Sequence, residues 1–268
     1  MYRQDGGSVR ELALRHFRDA CGRVGSRFAR GRGQGILRSI VIATEYGRFV
    51  GGERGAPEAD QVEVRVDVLR WVDERAVARV LARAFLDDPL VVAICGGSRT
   101  RRARRLWWSF RVAVRSHCRA RQPAWTLSDG SGVPVAVALV TRPPVPVAPI
   151  ADGWFALWGL LRVGLGATRR SLIAARAIAS QEPAPPFTYL RTLAVDPAWQ
   201  RRHLGSRLVA HVQRTATRTL PIYLETSRAE NVGFYQHFGF ELIGEFSCLD
   251  VPLWRLLCPA AATAGVRV

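Results

Sequence analysis

The sequence contains no lysine: all 39 basic residues of the 268-residue chain are arginine, and the formal net charge is +17. Methionine occurs only once. A nucleic-acid-binding protein normally has both basic residues, because lysine serves as well as arginine for a simple phosphate contact. Arginine has GC-rich codons and lysine has AT-rich codons. The composition therefore indicates first the codon bias of a GC-rich bacterium and only second a function.

Cysteine pairs and long apolar runs are also missing. The five cysteines stand far apart, without a CxxC pair or a cysteine–histidine cluster. This excludes a zinc module and a disulfide scaffold and favours a reducing compartment. No signal-peptide pattern opens the chain, and the apolar run from Trp154 to Leu161 reaches only about half the length of a membrane span. We expect a cytoplasmic protein with no membrane span and no bound metal.

The remaining composition, 48% hydrophobic and 23% charged, is that of an ordinary globular protein. Residues 1–60 are rich in glycine and arginine and are predicted to be a poorly ordered extension. We place the folded domain at 61–258 and a tail at 259–268. Prolines flank an apolar insertion at about 143–186, which is either a lid that shapes a substrate site or extra packing against the core.

The spacing of hydrophobic residues predicts the strands and helices in the first half of the domain. Alternating valines from Val62 to Val66 indicate a strand, and a helical pattern from Val72 to Phe85 ends at Asp88-Pro89. Residues 99–121, with nine arginines and no acidic residue, form a second helix with one apolar stripe. Its arginines are expected on a solvated face. Two strands follow, Ala124 to Leu127 and Val133 to Val140, joined by a tight turn.

In the last third of the sequence, a strand, a short loop and a helix start follow each other as they do at a phosphate-binding site. Phe187 to Val195 is predicted as a strand, and a helix with Leu204 and Leu208 on its apolar side begins after a short loop. Helix N-termini present unpaired backbone N–H groups that favour an anion, and Gly205 allows close approach. A further strand spans Leu220 to Glu225. Asn231 is predicted to be the N-cap of a short helix.

Two linked blocks of this region, LAVDPAWQRRHLGSRL and YLETSRAENVGFYQHFGFELIGE, resemble the GCN5-related N-acetyltransferase (GNAT) superfamily. The first is similar to its acetyl-CoA motif, with Gln200 as the opening residue and Gly205 as the second glycine. The resemblance implies an α/β (α+β) fold with a mixed, mostly antiparallel sheet flanked by helices. Its two central strands, about 187–195 and 220–225, would splay to admit the cofactor.

The resemblance also implies an N-acetyltransferase that takes acetyl-CoA as co-substrate and transfers the acetyl group to an amine in a ternary complex. The backbone of one strand would bind the pantetheine arm, the loop and helix start would bind the pyrophosphate, and Asn231 would contact the cofactor. These positions are Leu193, Ala194, Val195, Gln200, Arg201, Arg202, His203, Leu204, Gly205, Ser206 and Asn231.

Two residues are candidates for proton transfer. Tyr235 matches the family tyrosine that protonates the departing thiolate, a sensible role because a phenol stays protonated at neutral pH. The alternative is that Tyr235 is a core aromatic residue. Glu225 ends a strand near the cofactor cleft, where it is either a general base or a structural carboxylate.

His203 stands where the motif has its first glycine. Its side chain could crowd the pyrophosphate or, when protonated, reach it, and histidine tolerates positive φ better than most residues. A CoA-binding regulatory module without turnover is therefore one alternative function. A nucleic-acid binder that uses the arginine-rich segments is another, less favoured one. Arginines of 99–121 could instead recruit an acidic acceptor or the CoA 3′-phosphate. The acceptor and the oligomeric state, including a homodimer, stay open.

Overall fold

The computed structural model describes residues 66–69, 73–143, 161–216 and 220–260. The predicted extension at 1–60, Val62 and Val64 of the first predicted strand, the first part of the insertion and residues 261–268 lie outside the described residues. The proposed domain limits therefore stay predictions.

Seven strands of the described chain form one mixed sheet with the order β1-β2-β3-β4-β5-β7-β6. Neighbouring strands are antiparallel except β4 and β5, which are parallel. The strands are β1 Val66–Val68, β2 Ala124–Ser128, β3 Pro134–Thr141, β4 Thr188–Val195, β5 Ile222–Thr226, β6 Glu241–Cys248 and β7 Val251–Cys258.

Six α-helices of the described chain flank this sheet, as the predicted fold class requires. They are α1 Glu74–Ala84, α2 Pro89–Cys95, α3 Arg99–Arg119, α4 Leu165–Gln181, α5 Leu204–Ala216 and α6 Glu230–His237. No helix in the described ranges is long and apolar enough to cross a membrane.

Helices cover both faces of the sheet, and β3 shows how. All eight of its residues are buried. Val137 and Leu139 belong to the core cluster that contains the apolar sides of α1, α2 and α3. Ala136, Ala138 and Val140 pack on the other side, in the cluster that contains α5. Side chains alternate between the faces of a strand, so a continuous apolar run suits a strand that is covered twice.

Asp88-Pro89 does end the first helical pattern, but it also begins another helix. Asp88 is the N-cap of α2, where its Oδ1 accepts a hydrogen bond from the Val91 N–H at 3.1 Å, and Pro89 is the first helical residue. The helix spans only seven residues. Fewer than two turns carry too little periodicity to predict a helix from the sequence.

The prediction that the arginines of α3 lie on a solvated face is wrong for two of them, Arg102 and Arg111. Arg102 and Arg111 are only 9% and 8% exposed. Arg111 donates to Glu74 at 2.8 Å. Arg102 donates to the carbonyls of Leu86 and Gly97. A planar guanidinium with five donors can bind several acceptors at once, so these side chains connect α3 to neighbouring segments.

Most of the described part of the insertion is α4, which packs against α2. Its Arg170 donates to the Ile94 carbonyl at 2.7 Å, near the C-terminal end of α2. Helix α4 ends at Gln181, ahead of the three prolines that the sequence places there. This part of the insertion therefore forms a wall of the domain on the face that carries α1, α2 and α3.

Candidate active site

The two parallel strands β4 and β5 separate soon after they begin. Their pairing covers only Thr188 with Ile222 and Tyr189 with Tyr223. On its other side β4 pairs with β3, but the register shifts so that Arg191 has no counterpart there. Such a bulge bends a strand. The sequence prediction that the two central strands splay is confirmed, and Leu193, Ala194 and Val195 lie beyond the point of separation.

The predicted phosphate loop precedes α5 and has a backbone that glycine would favour. The φ angles of Arg201 and His203 are 62° and 56°. These values lie in the left-handed region, where histidine is more common than most residues. The side chain of His203 is exposed. The chain thus adopts at His203 a conformation that the first motif glycine would supply without strain.

The remaining loop residues surround the start of α5. Gln200 Nε2 donates to the Val195 carbonyl at 3.4 Å, and the Arg202 guanidinium lies 4.7 Å from the centre of the Trp199 ring. Leu204 and Gly205 are buried in the first turn of α5, and Ser206 is half-buried. Arginine side chains and helix N–H groups beside a gap between strands are suited to an anionic ligand.

Glu225 is buried at the separation of the strands, on the same face as α1 to α4. It is 2% exposed, and its Oε2 accepts a hydrogen bond from the hydroxyl of Tyr189 on β4. Its other oxygen, Oε1, is also buried and accepts no hydrogen bond of good geometry from a described residue. Ile222 and Leu224 point to the α5 side. Tyr223 and Glu225, which alternate with them, therefore point to the opposite face.

Burial raises the pKa of Glu225 from 4.5 to about 7, because removal from water penalises the charged form. Hydrogen bonds from Tyr189 and Tyr223 oppose this increase, and the charge of Glu182 adds to it. The pKa of Tyr189 is raised well above 10 by burial and by the Glu225 charge. Glu225 can therefore exchange a proton near neutral pH, whereas Tyr189 keeps its own.

Tyr235 lies in α6 and is fully buried, in the core cluster on the α5 side of the sheet. Its ring packs against Phe234 and Phe240, at centroid distances of 5.0 and 5.5 Å. The structure thus does not place Tyr235 beside Glu225. The two candidates approach the sheet from opposite faces.

The prediction that Asn231 caps its helix is wrong. The N-cap of α6 is Ala229, one residue before the first helical residue, Glu230. Asn231 is inside the first turn and fully buried, and its Nδ2 donates to Thr226 Oγ1 at 3.1 Å. Its amide therefore connects α6 to the end of β5. A cofactor contact by Asn231 stays a prediction.

Three residues of this region were not singled out from the sequence: Tyr189, Arg191 and Tyr223. Arg191 is 9% exposed, donates from Nε to Thr141 Oγ1 at 2.6 Å, and lies with Cζ 4.8 Å from the Tyr189 ring centre. Tyr189 and Tyr223 each lie one residue inside their strands, β4 and β5. The missing information was the register of β4 against β5, which only the folded sheet supplies.

Comparison with known proteins points to one family. Residues 166–242 match the family model described as an acetyltransferase (GNAT) domain. The fold is similar to that of a Corynebacterium glutamicum structure described as histone acetyltransferase HPA2 and related acetyltransferase, with 23% identity, 74% of this chain and 97% of that chain covered, and a TM-score of 0.56.

Two more distant structures are similar over comparable lengths. One is the ribosomal-protein-S18-alanine N-acetyltransferase of Escherichia coli, with 16% identity, coverage of 76% and 99%, and a TM-score of 0.45. The other is arylalkylamine N-acetyltransferase 2 of Aedes aegypti, with 13% identity, coverage of 74% and 98%, and a TM-score of 0.47.

Proposed function

Because residues 166–242 match an acetyltransferase (GNAT) domain model and the fold is similar to that of an acetyltransferase structure, we propose that the chain is an enzyme of the GCN5-related N-acetyltransferase superfamily. It would transfer an acetyl group from acetyl-CoA to an amine by direct attack in a ternary complex. The observation that carries this proposal is the early separation of β4 from β5. The loop before α5 follows β4, and the buried carboxylate of Glu225 lies on β5. Acetyl-CoA, when bound, supplies an activated acetyl thioester.

The residues of the loop and of β4 fit the cofactor. Beyond Tyr189, strand β4 has no β5 partner, so backbone groups of Leu193 to Val195 are available to the pantetheine arm. The segment Gln200 to Ser206 combines two left-handed residues, two exposed arginines and a helix start. Such a segment holds a pyrophosphate through N–H groups and charge. Asn231 connects the start of α6 to the end of β5.

Glu225 is the general base and Tyr235 the general acid of this proposal. A carboxylate with a pKa near 7 takes a proton from an amine at neutral pH far better than one that titrates near 4.5. The phenol of Tyr235 would return a proton to the thiolate. A backbone N–H of the 193–195 segment would polarise the carbonyl of the thioester. The chain needs no covalent intermediate.

The test measures thiol release from acetyl-CoA with a panel of primary amines. Glu225→Gln is expected to lower kcat/KM by about 100-fold, and Tyr235→Phe to lower kcat by a similar factor, as for other acid–base groups. Glu241→Gln makes the same chemical change on exposed strand β6 and should leave turnover unchanged. Unaltered rates in both active-site variants would refute the assigned roles.

The alternatives give different results in the same experiments. Binding of acetyl-CoA without thiol release on a broad panel would favour a regulatory module. Steeply salt-dependent DNA binding would favour a nucleic-acid protein. The internal hydrogen bonds of Arg102 and Arg111 weigh against the second alternative, since these guanidinium groups already bind protein acceptors. The cytoplasmic location, the bacterial source and a homodimer stay predictions.

A further inference from the structure

Tyr189 and Glu225 form a buried pair across the two strands where they part. Tyr189 is 4% exposed and Glu225 is 2% exposed. The Tyr189 position is the last one at which β4 still pairs with β5, opposite Tyr223. Its hydroxyl donates to Glu225 Oε2 from the neighbouring strand. The carboxylate is therefore anchored by one oxygen at the edge of the opening.

The two carboxylate oxygens are not equivalent. Oε2 is occupied by the Tyr189 hydroxyl, whereas Oε1 accepts no well-formed hydrogen bond among the described residues. A buried polar oxygen without a partner is unfavourable by about 1–3 kcal/mol, so proteins seldom retain one without a reason. A proton or an amine N–H supplied by a substrate would satisfy Oε1.

Four other polar or charged side chains near the carboxylate come from β4, β5, β7 and the residue after α4. The hydroxyl of Tyr223 on β5 lies 3.5 Å from the Gln181 carbonyl at the end of α4. Arg255 on β7, opposite Glu225 in register, donates to the same carbonyl at 2.8 Å. Glu182 raises the pKa of Glu225 and Arg191 lowers it. Tyr189 donates to Oε2, and the Tyr223 hydroxyl, which also approaches the Gln181 carbonyl, interacts with the carboxylate and lowers its pKa as well.

On the basis of the proposed function, we propose that Tyr189 is a positioning residue for the general base, holding Glu225 by Oε2 so that Oε1 faces the acceptor amine. In the reaction the amine nitrogen forms a bond to the acetyl carbon and the carbon–sulfur bond breaks. The proton lost by nitrogen goes to Oε1, and the sulfur leaves as thiolate and takes a proton from the Tyr235 hydroxyl. Tyr189 keeps its proton throughout and only orients and stabilises the ionised carboxylate.

The first test is the pH profile of kcat/KM for Tyr189→Phe. A hydrogen bond to the charged form of a carboxyl lowers its pKa, so its removal should move the acid limb of the profile up by about one pH unit. The KM for acetyl-CoA should stay unchanged. Tyr223→Phe should give a smaller shift in the same direction, because its hydroxyl is shared with Gln181. A Tyr189→Phe profile that superimposes on that of the wild type would overturn the proposal.

A second test does not depend on turnover. The titration of Glu225 is followed by 13C NMR of labelled glutamate carboxyls, with Glu225→Gln to assign the signal. Replacing Tyr189 with difluorotyrosine, a more acidic and stronger donor of the same shape, should lower the midpoint, opposite to Tyr189→Phe. An unchanged midpoint in both variants refutes the pairing. A wild-type protein that shows the pairing but releases no thiol refutes the proposed function instead.

Discussion

The hydroxyl of Ser227 donates a hydrogen bond to Asp88 Oδ2 across 2.6 Å, although 139 positions separate them in the chain. Asp88 is fully buried and also caps α2. Arg228, the next residue, donates to the Asp87 carbonyl at 2.8 Å. These contacts connect the turn between α1 and α2 to the loop after β5.

Asp88→Ala should lower the free energy of unfolding by about 2 kcal/mol, since it removes a helix cap and a buried hydrogen bond. Asp88→Asn should lower it less, because the amide oxygen can still cap α2. Ser227→Ala should lower it by about 1 kcal/mol. Urea denaturation of the single and double variants measures these values. Strictly additive effects of Asp88→Ala and Ser227→Ala would contradict a direct interaction.

The raised pKa of Glu225 has a consequence for stability that needs no substrate. Burial raises this pKa from 4.5 to about 7, so between these values the folded protein binds a proton that the unfolded chain has released. The free energy of unfolding contributed by this group is therefore fully present below pH 4.5. It falls as pH rises through 7, by about 1 kcal/mol per pH unit at most.

Glu225→Gln should remove this part of the pH dependence. Denaturation at pH 5, 6, 7 and 8 should show the difference between variant and wild type changing across the window, in favour of the variant at higher pH. Glu241→Gln, on exposed β6, should follow the wild type. A constant difference between Glu225→Gln and the wild type would show that Glu225 titrates outside this window.

Arg102→Lys tests whether α3 depends on guanidinium geometry. The side chain donates to the carbonyls of Leu86 and Gly97 and to Asp87 at 2.6, 3.3 and 3.1 Å, and one ammonium group cannot reach all three acceptors in the same geometry. We expect a loss of about 2 kcal/mol in unfolding free energy. Arg104→Lys, on an exposed part of the same helix, should change it by less than about 0.5 kcal/mol. Equal effects in both variants would contradict this role of Arg102.

Substitutions at His203 test whether the loop before α5 requires a left-handed backbone. With φ at 56°, His203→Val should destabilise the protein by about 1–2 kcal/mol, because a β-branched residue is strained there. His203→Gly should stay within about 1 kcal/mol of the wild type and bind acetyl-CoA at least as tightly. Thermal unfolding and calorimetric titration measure the two effects. Weaker binding by His203→Gly would show that the imidazole itself contributes to the site.

The hydrophobic pattern of the sequence predicted those elements that bury a continuous apolar surface. Helices α3 and α5 and strand β3 were expected within a few residues of their observed ends. The turn at Asp129 was also predicted, and there the carboxylate accepts hydrogen bonds from the N–H groups of Ser131 and Val133. Helix α2 was missed because it is short. Asn231 was misplaced as a cap because its side chain binds Thr226 instead.

The sequence by itself predicted the fold class, the resemblance to one family and the position of the loop before α5, because each depends on residues that are close together in the chain. Only the tertiary structure decided the partner of Glu225, since Tyr189 is 36 positions away and meets it through the register of two parallel strands. The role of the arginines in α3 was decided in the same way. The sequence pattern predicts which face of a helix or strand a residue occupies. A hydrogen bond also needs a partner that folding brings within about 3 Å.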